Sequence, residues 1–569
     1  MREIVTVQVG GFANFVGSHF WNFQDELLGL ADDPESDPIF KNQRLNMDVL
    51  YRAGETQMGV ATYTPRVVSV NFQGSLGSMS SSGTIYSEKI SARSNISTWF
   101  GNVTTHASEP RKKNLFLESL YEEEQDKVRG RENDNMSESQ DKDIVECLDK
   151  GVEYWTDFSK VHYHPQSLYE LSGLWMDSQD FNNYGIGRDI FSEGSRGEEL
   201  SERLRFFVEE CDHIQGIQFL VDDSGGFSAL AADFLENIAD DYTNIPLLLY
   251  SVRSPSLHTN TRSSKRSISG DLHDAISFSR LSSFCKLFIP VGLPSLGGSK
   301  ASKYLLLQDE KLYHSSAVYA AALHSSIIPF RMEPLSSALD SSEVSGAMDV
   351  NTLVQMLSGR DRQNIVAILD AAIPSPALSG KQSENTLVMD LQPLTPEVAE
   401  DVEDTRAIES MSLLGAIGSE GIEASISEAK DAVHASYEQN TSVRPLFCNV
   451  SVSRCPLPVP LPFPRIFGNL IGRKGEILGS PLSDSLPRGP LDVHSVPLAT
   501  RLRSSSAILP FLERRMGNLQ KYGIQWGAVG SDLVRTWGFG REELQEMREN
   551  LSKMVAELNP QLLESSDSD

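Results

Sequence analysis

Cysteine is scarce in this chain and poorly placed for covalent work. Its five residues, Cys147, Cys211, Cys285, Cys448 and Cys455, are odd in number, scattered, and never form a C-x-x-C pair. That spacing argues against a disulfide framework and implies free thiols in a reducing compartment. Long apolar runs are also missing, since none reaches the roughly 18 residues that a membrane span needs. No Arg-rich, acid-poor leader opens the sequence; its first residues read directly as a strand, Ile4 to Val9. Basic side chains are outnumbered, 50 against 78 acidic ones, for a formal net charge of -28. A chain with this balance has no general affinity for nucleic acid or for bare anionic lipid. Together these absences point to a cytoplasmic protein with no transmembrane segment, whose contact with any organelle is peripheral.

What remains is ordinary globular material, 40% hydrophobic and 22% charged over 569 residues. That length suits two to four domains. The first half alternates strand and helix, the pattern of a parallel sheet covered by helices. A strand at 4–9 runs into Gly10-Gly11 and a helix carrying Phe15, Val16, Phe20, Phe23 and Leu27. A second strand covers Val67 to Val70. A buried strand at Ile217 to Val221 leads to Gly225-Gly226 and a helix marked by Leu230, Phe234, Leu235 and Ile238. Between the second and third of these strands lies an insertion, about 105–145. Its core, 118–143, is so acidic and so poor in apolar residues that its composition predicts a disordered segment. Residues 376–440 read as a polar, acidic linker with some helical character. Two amphipathic helices follow near the end, one with Phe511, Leu512, Met516, Leu519 and Tyr522, the other with Leu544, Met547, Leu551 and Val555. A short acidic tail, 564–569, closes the chain. The expected domains are therefore 1–290, 291–500 and 501–569.

Several segments resemble tubulins, in the same order along the chain. The opening MREIVTVQVGGFANFVGSHFWN is similar to a tubulin N-terminus, and PRVVSVNFQGSLGSM (65–79) to its next strand and acidic turn. CDHIQGIQFLVDDSGGFS (211–228) resembles the segment entering the glycine-rich phosphate loop. SSSAILPFLERR (504–515) and GFGREELQEMRENLSKMVAEL (538–558) resemble the last long helices. Within that group, DVLYRAGET with TYTPR (48–66), WTDFSKVHYHPQSLYEL (155–171) and the altered loop DDSGGFS identify the chain as resembling the Misato family. The resemblance implies a tubulin-like α/β fold: a Rossmann-type parallel-sheet domain, a smaller mixed α/β domain and a C-terminal helical pair. It also implies a part in mitochondrial distribution and morphology, at the outer mitochondrial surface and in the cytoplasm, with tubulin or the cytosolic chaperonin as partners.

The same resemblance places a nucleotide site that has decayed. In such a site phosphates rest on backbone N–H groups at helix N-termini, and glycines allow close approach. Its remnants fall on Gly10, Gly11, Asn71, Gln73, Ser224, Gly225 and Gly226. The tubulin pattern GGGTGSG lies on Ser224 to Leu230, and its threonine position is Phe227. Asp222 and Asp223 precede the loop as solvent-facing acids, as charges that would repel a triphosphate, or with one carboxylate placed to hold Mg²⁺ for a nucleotide. The acidic turn beside the terminal phosphate has become Asn71 and Gln73, which cannot serve as anionic metal ligands. The position of a base-contacting Asn falls on Asp274. The Asn and acid that one tubulin subunit lends the next fall on Ala317 and Tyr319. No cofactor or metal is expected, with GTP the one nucleotide candidate, and GTPase activity of the tubulin kind is expected to be absent. The runner-up readings are a slow GTP-binding protein and a microtubule or spindle factor. His162 and His164 share H-x-H spacing without a third ligand, which is too little for zinc.

Overall fold

The run Glu3–Val9 (β1) is buried along its whole length in the computed structural model of the protein. The structure describes every residue except 1, 42–43, 56–60, 81–111, 130–137, 177–180, 182, 256–263, 334–345, 360–364, 379–386, 401, 403, 419–423, 440–443, 526–527 and 559–569. A strand buried on both faces belongs inside a parallel sheet. On one side β1 pairs in parallel with β2 (Val67–Gln73), and β3 (Leu168–Trp175) lies beyond β2. On the other side come β4 (Ile214–Asp222), β5 (Leu247–Val252), β6 (Leu287–Val291) and a short β7 (Ile365–Val366). The all-parallel order is β3-β2-β1-β4-β5-β6-β7. Strand order reverses between β1 and β4, and open sheets of this kind hold ligands beyond the carboxyl ends of such a pair. This is the sheet the sequence predicts, with its last strand drawn from beyond residue 290.

Helices cover both faces. α1 (Gly11–Asp32) follows β1; α2 (Leu115–Arg129) and α3 (Glu138–Gly151) belong to the insertion. α4 (Tyr184–Ser192) and α5 (Arg196–Glu209) join β3 to β4, and α6 (Gly225–Ala239) follows β4. α7 (Ser264–Phe284), α8 (Leu312–Ser326) and α9 (Val350–Ser358) complete the layer. Ile4 of β1 faces a core shared with α1 and α8, while Val5, Val7 and Val9 face one shared with α6 and α7.

Where the structure describes the acidic insertion, it is helical rather than irregular. Phe116 and Ser119 of α2 are buried, as are Ile144, Val145 and Leu148 of α3. These few apolar positions lie at helical spacing, while Glu118, Glu122, Lys142, Asp143 and Glu146 beside them are exposed. The Asp149 carboxylate anchors α3: Arg465 Nη2 reaches it at 2.9 Å, and His314 Nε2 lies 3.4 Å away. Burial pushes this carboxyl up, but His314 and Arg465 outweigh it, and it falls to about 2. Residues 130–137 and the start of the insertion to 111 lie outside the described residues.

A second sheet follows directly. β8 (Ile368–Ala372) starts one residue after β7 and is joined by β9 (Gln392–Pro393), β10 (Ile408–Leu414), β11 (Phe447–Ser453) and β12 (Leu498–Ser504). Their order is β9-β8-β12-β10-β11, antiparallel apart from the β10–β11 pair. The stretch 376–440 is thus no linker, for it supplies β10 and α10 (Ile426–Gln439). IESMSLL looks polar on paper. In the fold Glu409 is buried against Arg501 and accepts the Tyr437 hydroxyl proton, so its charge is compensated inside the sheet.

Three further helices, α11 (Leu509–Asn518), α12 (Ala528–Thr536) and α13 (Arg541–Leu558), pack beside α7. Phe511, Leu512, Leu519, Leu544, Met547, Leu551 and Val555 join the core there, as their spacing predicts. The acidic tail 564–569 lies outside the described residues. Among the described residues no helix is long and apolar enough to cross a membrane.

Candidate functional site

At the switch point β1 and β4 end side by side, and each runs into a helix. β1 passes through Gly10 into α1; β4 passes through Asp223 and Ser224 into α6. Both helix N-termini carry N–H groups without intrahelical partners and a partial positive charge, the usual makings of an anion site. Of the seven expected residues, Gly10 and Gly11 sit at the first terminus and Ser224, Gly225 and Gly226 at the second. Asn71 and Gln73 end β2. Asn71 Oδ1 accepts the Phe72 N–H at 2.8 Å, and Gln73 Oε1 accepts the Gly173 N–H at 3.1 Å. Both amides are thus engaged within β2 and its neighbour β3.

Side chains of the chain itself fill the space around the two turns. Phe227 is buried, with its ring 4.7 Å from Phe72 and 4.8 Å from Phe181; Phe72 and Phe181 lie 4.9 Å apart. The glycines explain how this fits. A Cβ on Gly10, whose φ is +106°, would fall 2.5 Å from Asp222 Cβ and 3.1 Å from the Phe227 ring. One on Gly226 would fall 2.7 Å from the Phe181 ring, and one on Gly187 of α4 would overlap the Gly226 carbonyl. In a phosphate loop glycine admits the ligand; here it admits Asp222, Phe227, Phe181 and α4.

The two acids do not face solvent. Asp222 is 8% exposed. Its Oδ2 accepts the Phe12 N–H at 3.2 Å, and its Oδ1 accepts the Ser224 N–H at 3.3 Å and the Ser224 hydroxyl at 2.6 Å. Burial, only partly offset by these donors, pushes its pKa up to about 6. Asp223 turns the other way, to the Ser251 hydroxyl at 2.7 Å and to Arg253 Nε at 2.7 Å. Arg253 also grips Asp274 through two bonds of 2.8 and 3.0 Å. Burial alone would raise the Asp274 carboxyl, but Arg253 holds it well below the usual range. The charge of Asp223 is therefore neutralised by a residue that sequence reading did not single out.

The Asp222 environment fixes a pH dependence. A carboxyl whose folded pKa lies above its unfolded value contributes stability that is complete below about 4 and is lost as pH rises through about 6. At ~1.4 kcal/mol per pKa unit, the contribution is on the order of 3 kcal/mol. Wild type should therefore lose stability relative to Asp222→Asn between pH 4 and 7, measured by urea unfolding at fixed ionic strength. Parallel profiles would contradict this.

Tyr319 and Ala317, the positions aligned with an intersubunit pair, are fully buried in α8. The Tyr319 hydroxyl accepts the Leu293 N–H at 3.0 Å, and its ring meets Phe12 edge-on at 6.0 Å. That position lies inside this chain and offers nothing to a neighbouring one. Ser228, His273 and Asp274 line up superficially like a nucleophile relay. Yet Ser228 is fully buried, its hydroxyl and His273 Nε2 both lie against the Gly225 carbonyl, and Asp274 is taken by Arg253. His164 caps a turn by accepting the Gln166 N–H and stacks on Phe206, and burial with Arg52 and Arg203 lowers it to about 4. Among the described residues no group of three His, Cys, Asp or Glu side chains is placed to hold a metal.

Sequence reasoning missed Phe181, Gly187 and Arg253. Phe181 and Gly187 lie in the β3–α5 connection and carry no local signal. Arg253 did carry one, because a cation just past a buried strand is suited to pairing with the acid pair that ends its neighbour.

Known proteins bear on this arrangement. The family model described as the Misato Segment II tubulin-like domain matches residues 2–122, and that of the Tubulin domain matches 146–332. Protein misato homolog 1 of Homo sapiens is 30% identical over 408 residues, covering 68% of this chain and 67% of that protein. Its counterpart in Pongo pygmaeus is 29% identical over 589 residues, 97% of each chain. Protein misato of Drosophila melanogaster is 30% identical over 360 residues, covering 59% of this chain and 61% of its own. A tubulin-like sheet, a rebuilt phosphate turn and relatives matched along almost the entire length lead to one assignment: the chain belongs to the Misato family.

Proposed function

We propose that this protein is a non-enzymatic, tubulin-like organiser of mitochondria, governing their distribution and morphology from the cytoplasmic side of the outer surface. The observation that carries the non-enzymatic part is the Phe72–Phe181–Phe227 cluster packed against the turn where a nucleotide's phosphates would rest. Phosphoryl transfer depends on positioning, a metal and an oriented water. Here the residues at the corresponding positions are Asn71, Gln73 and Tyr319, none of which is a carboxylate. The mitochondrial part rests on family membership. Contact with the organelle runs through protein surfaces, since the chain is strongly acidic, and tubulin and the cytosolic chaperonin are the partners proposed.

The test is a depletion and rescue experiment in cells with labelled mitochondria. Depletion should collapse or cluster the network, and re-expression of a Phe227→Leu form, which keeps the turn apolar and closed, should restore it. A normal network after depletion would sink the mitochondrial reading. Mg²⁺-dependent GTP hydrolysis above background by the purified protein would sink the non-enzymatic one.

A further inference from the structure

We propose that Arg331 is the cation of an internal anion site, which takes a small inorganic anion such as chloride with the Tyr51 hydroxyl and the Trp21 indole N–H as further donors. The site lies in the core shared by α1 and α8 and is independent of the nucleotide-type turn.

The first observation is a buried charge without a counter-charge. Arg331 ends the short helical turn Ile328–Arg331 just after α8, and it is fully buried. Its guanidinium carries five N–H donors. Nη1 donates to Gln24 Oε1 at 2.5 Å, and Nη2 faces Met47 Sδ, a weak acceptor. Nε has no acceptor, and among the described residues no carboxylate pairs with the group. Burial pushes its pKa down to about 10, opposed by Tyr51, Tyr63 and Cys455, side chains that are ordinarily uncharged at neutral pH. Gln24 has no second acceptor to offer, because its Nε2 is committed to the Phe20 carbonyl at 3.0 Å and to His324 Nδ1 at 2.8 Å.

The second observation is the company Arg331 keeps. Tyr51 is 2% exposed and Trp21 fully buried; their rings meet edge-on at 5.8 Å, and neither the Tyr51 hydroxyl nor the Trp21 N–H has a partner. Arg331 acts electrostatically on the Tyr51 hydroxyl. Unsatisfied groups buried in this way are accounted for by a water or an ion. Water would satisfy a donor and leave the guanidinium charge unanswered, which is strongly destabilising in a protein interior. An anion answers both, and the enclosure of all three side chains restricts it to a compact one.

The test follows thermal unfolding of the full chain at pH 7 in sodium chloride and in sodium gluconate at equal ionic strength, gluconate being too bulky for an enclosed site. The wild-type midpoint should rise by several degrees with chloride and level off, as saturable binding to the native state requires, and it should show no such rise in gluconate. Arg331→Met, which keeps an unbranched side chain and removes the charge, should lose the chloride-dependent rise. Tyr51→Phe removes one donor and should raise the half-saturating chloride concentration several-fold. Equal wild-type midpoints in the two salts, as a resident water would give, would overturn the site, and so would the same chloride effect in wild type and Arg331→Met. Should Arg331→Met fail to fold, Tyr51→Phe decides: a raised half-saturation supports the site and an unchanged one overturns it.

Discussion

Asp370→Ala is expected to be the most damaging single substitution in the second sheet, at about 3–5 kcal/mol. Asp370 is fully buried, and its carboxylate holds Arg501 Nη2 and Arg503 Nε, each at 2.7 Å, from the neighbouring strand β12. Burial raises this carboxyl, but Arg503 and Arg501 together pull it below its usual value. Truncation would strand two guanidinium groups, with Glu409 left to answer Arg501 across the sheet. The loss should appear locally, as faster hydrogen exchange in β8, β10 and β12 while β1 and β4 stay protected, because the substituted position belongs to the second sheet. Since a depressed carboxyl contributes stability that is complete above its unfolded value, the wild-type advantage over Asp370→Asn should begin to shrink as pH drops below about 4 and be lost as pH falls through the lower folded value. Uniform exchange in both sheets, or a loss under about 1 kcal/mol, would contradict this account.

Phe227→Ala should be nearly as costly, at about 3–5 kcal/mol for a buried aromatic. Phe227 meets two rings at under 5 Å, and aromatic pairs contribute roughly 0.5–1.5 kcal/mol each beyond burial. The substitution opens space where phosphates would lie, so it separates two accounts of the proposed loss of nucleotide binding. If shape alone closed the site, Phe227→Ala would gain nucleotide affinity. The present account expects no gain, because the Asp222 carboxylate still holds the Phe12 and Ser224 donors. Calorimetric titration of the variant with GTP and Mg²⁺ checks this, and measurable heat of binding would count against it.

The parallel sheet was legible because its strands are short runs rich in Val, Ile, Leu and Phe, two of which lead into glycine pairs, at Val9-Gly10-Gly11 and before Gly225-Gly226. Such runs have few other uses in a chain of this charge. The second sheet was not legible in β10, whose Glu409, Ser410 and Ser412 disguise a buried strand. Only the partner strand β12, some ninety residues later, brings Arg501 to compensate Glu409. The insertion misled for a related reason. Its composition is dominated by charge, while its described helices are fixed by a handful of buried positions such as Phe116, Ile144 and Leu148 and by one carboxylate, Asp149, that meets Arg465. At the site, the loss of the phosphate-loop pattern could be read residue by residue. What packs around the turns could not, because Phe72, Phe181 and Phe227 come from three separate segments and Asp222 finds a donor on Phe12, 210 residues away.

The claim that the tubulin-type site has become a closed structural junction is tested most directly by single-turnover hydrolysis of radiolabelled GTP across a range of protein concentrations. Background hydrolysis at every concentration, with and without Mg²⁺, is the expected result. A rate that climbs with protein concentration and falls on Gly226→Ala would show a working, assembly-linked site and would contradict the account.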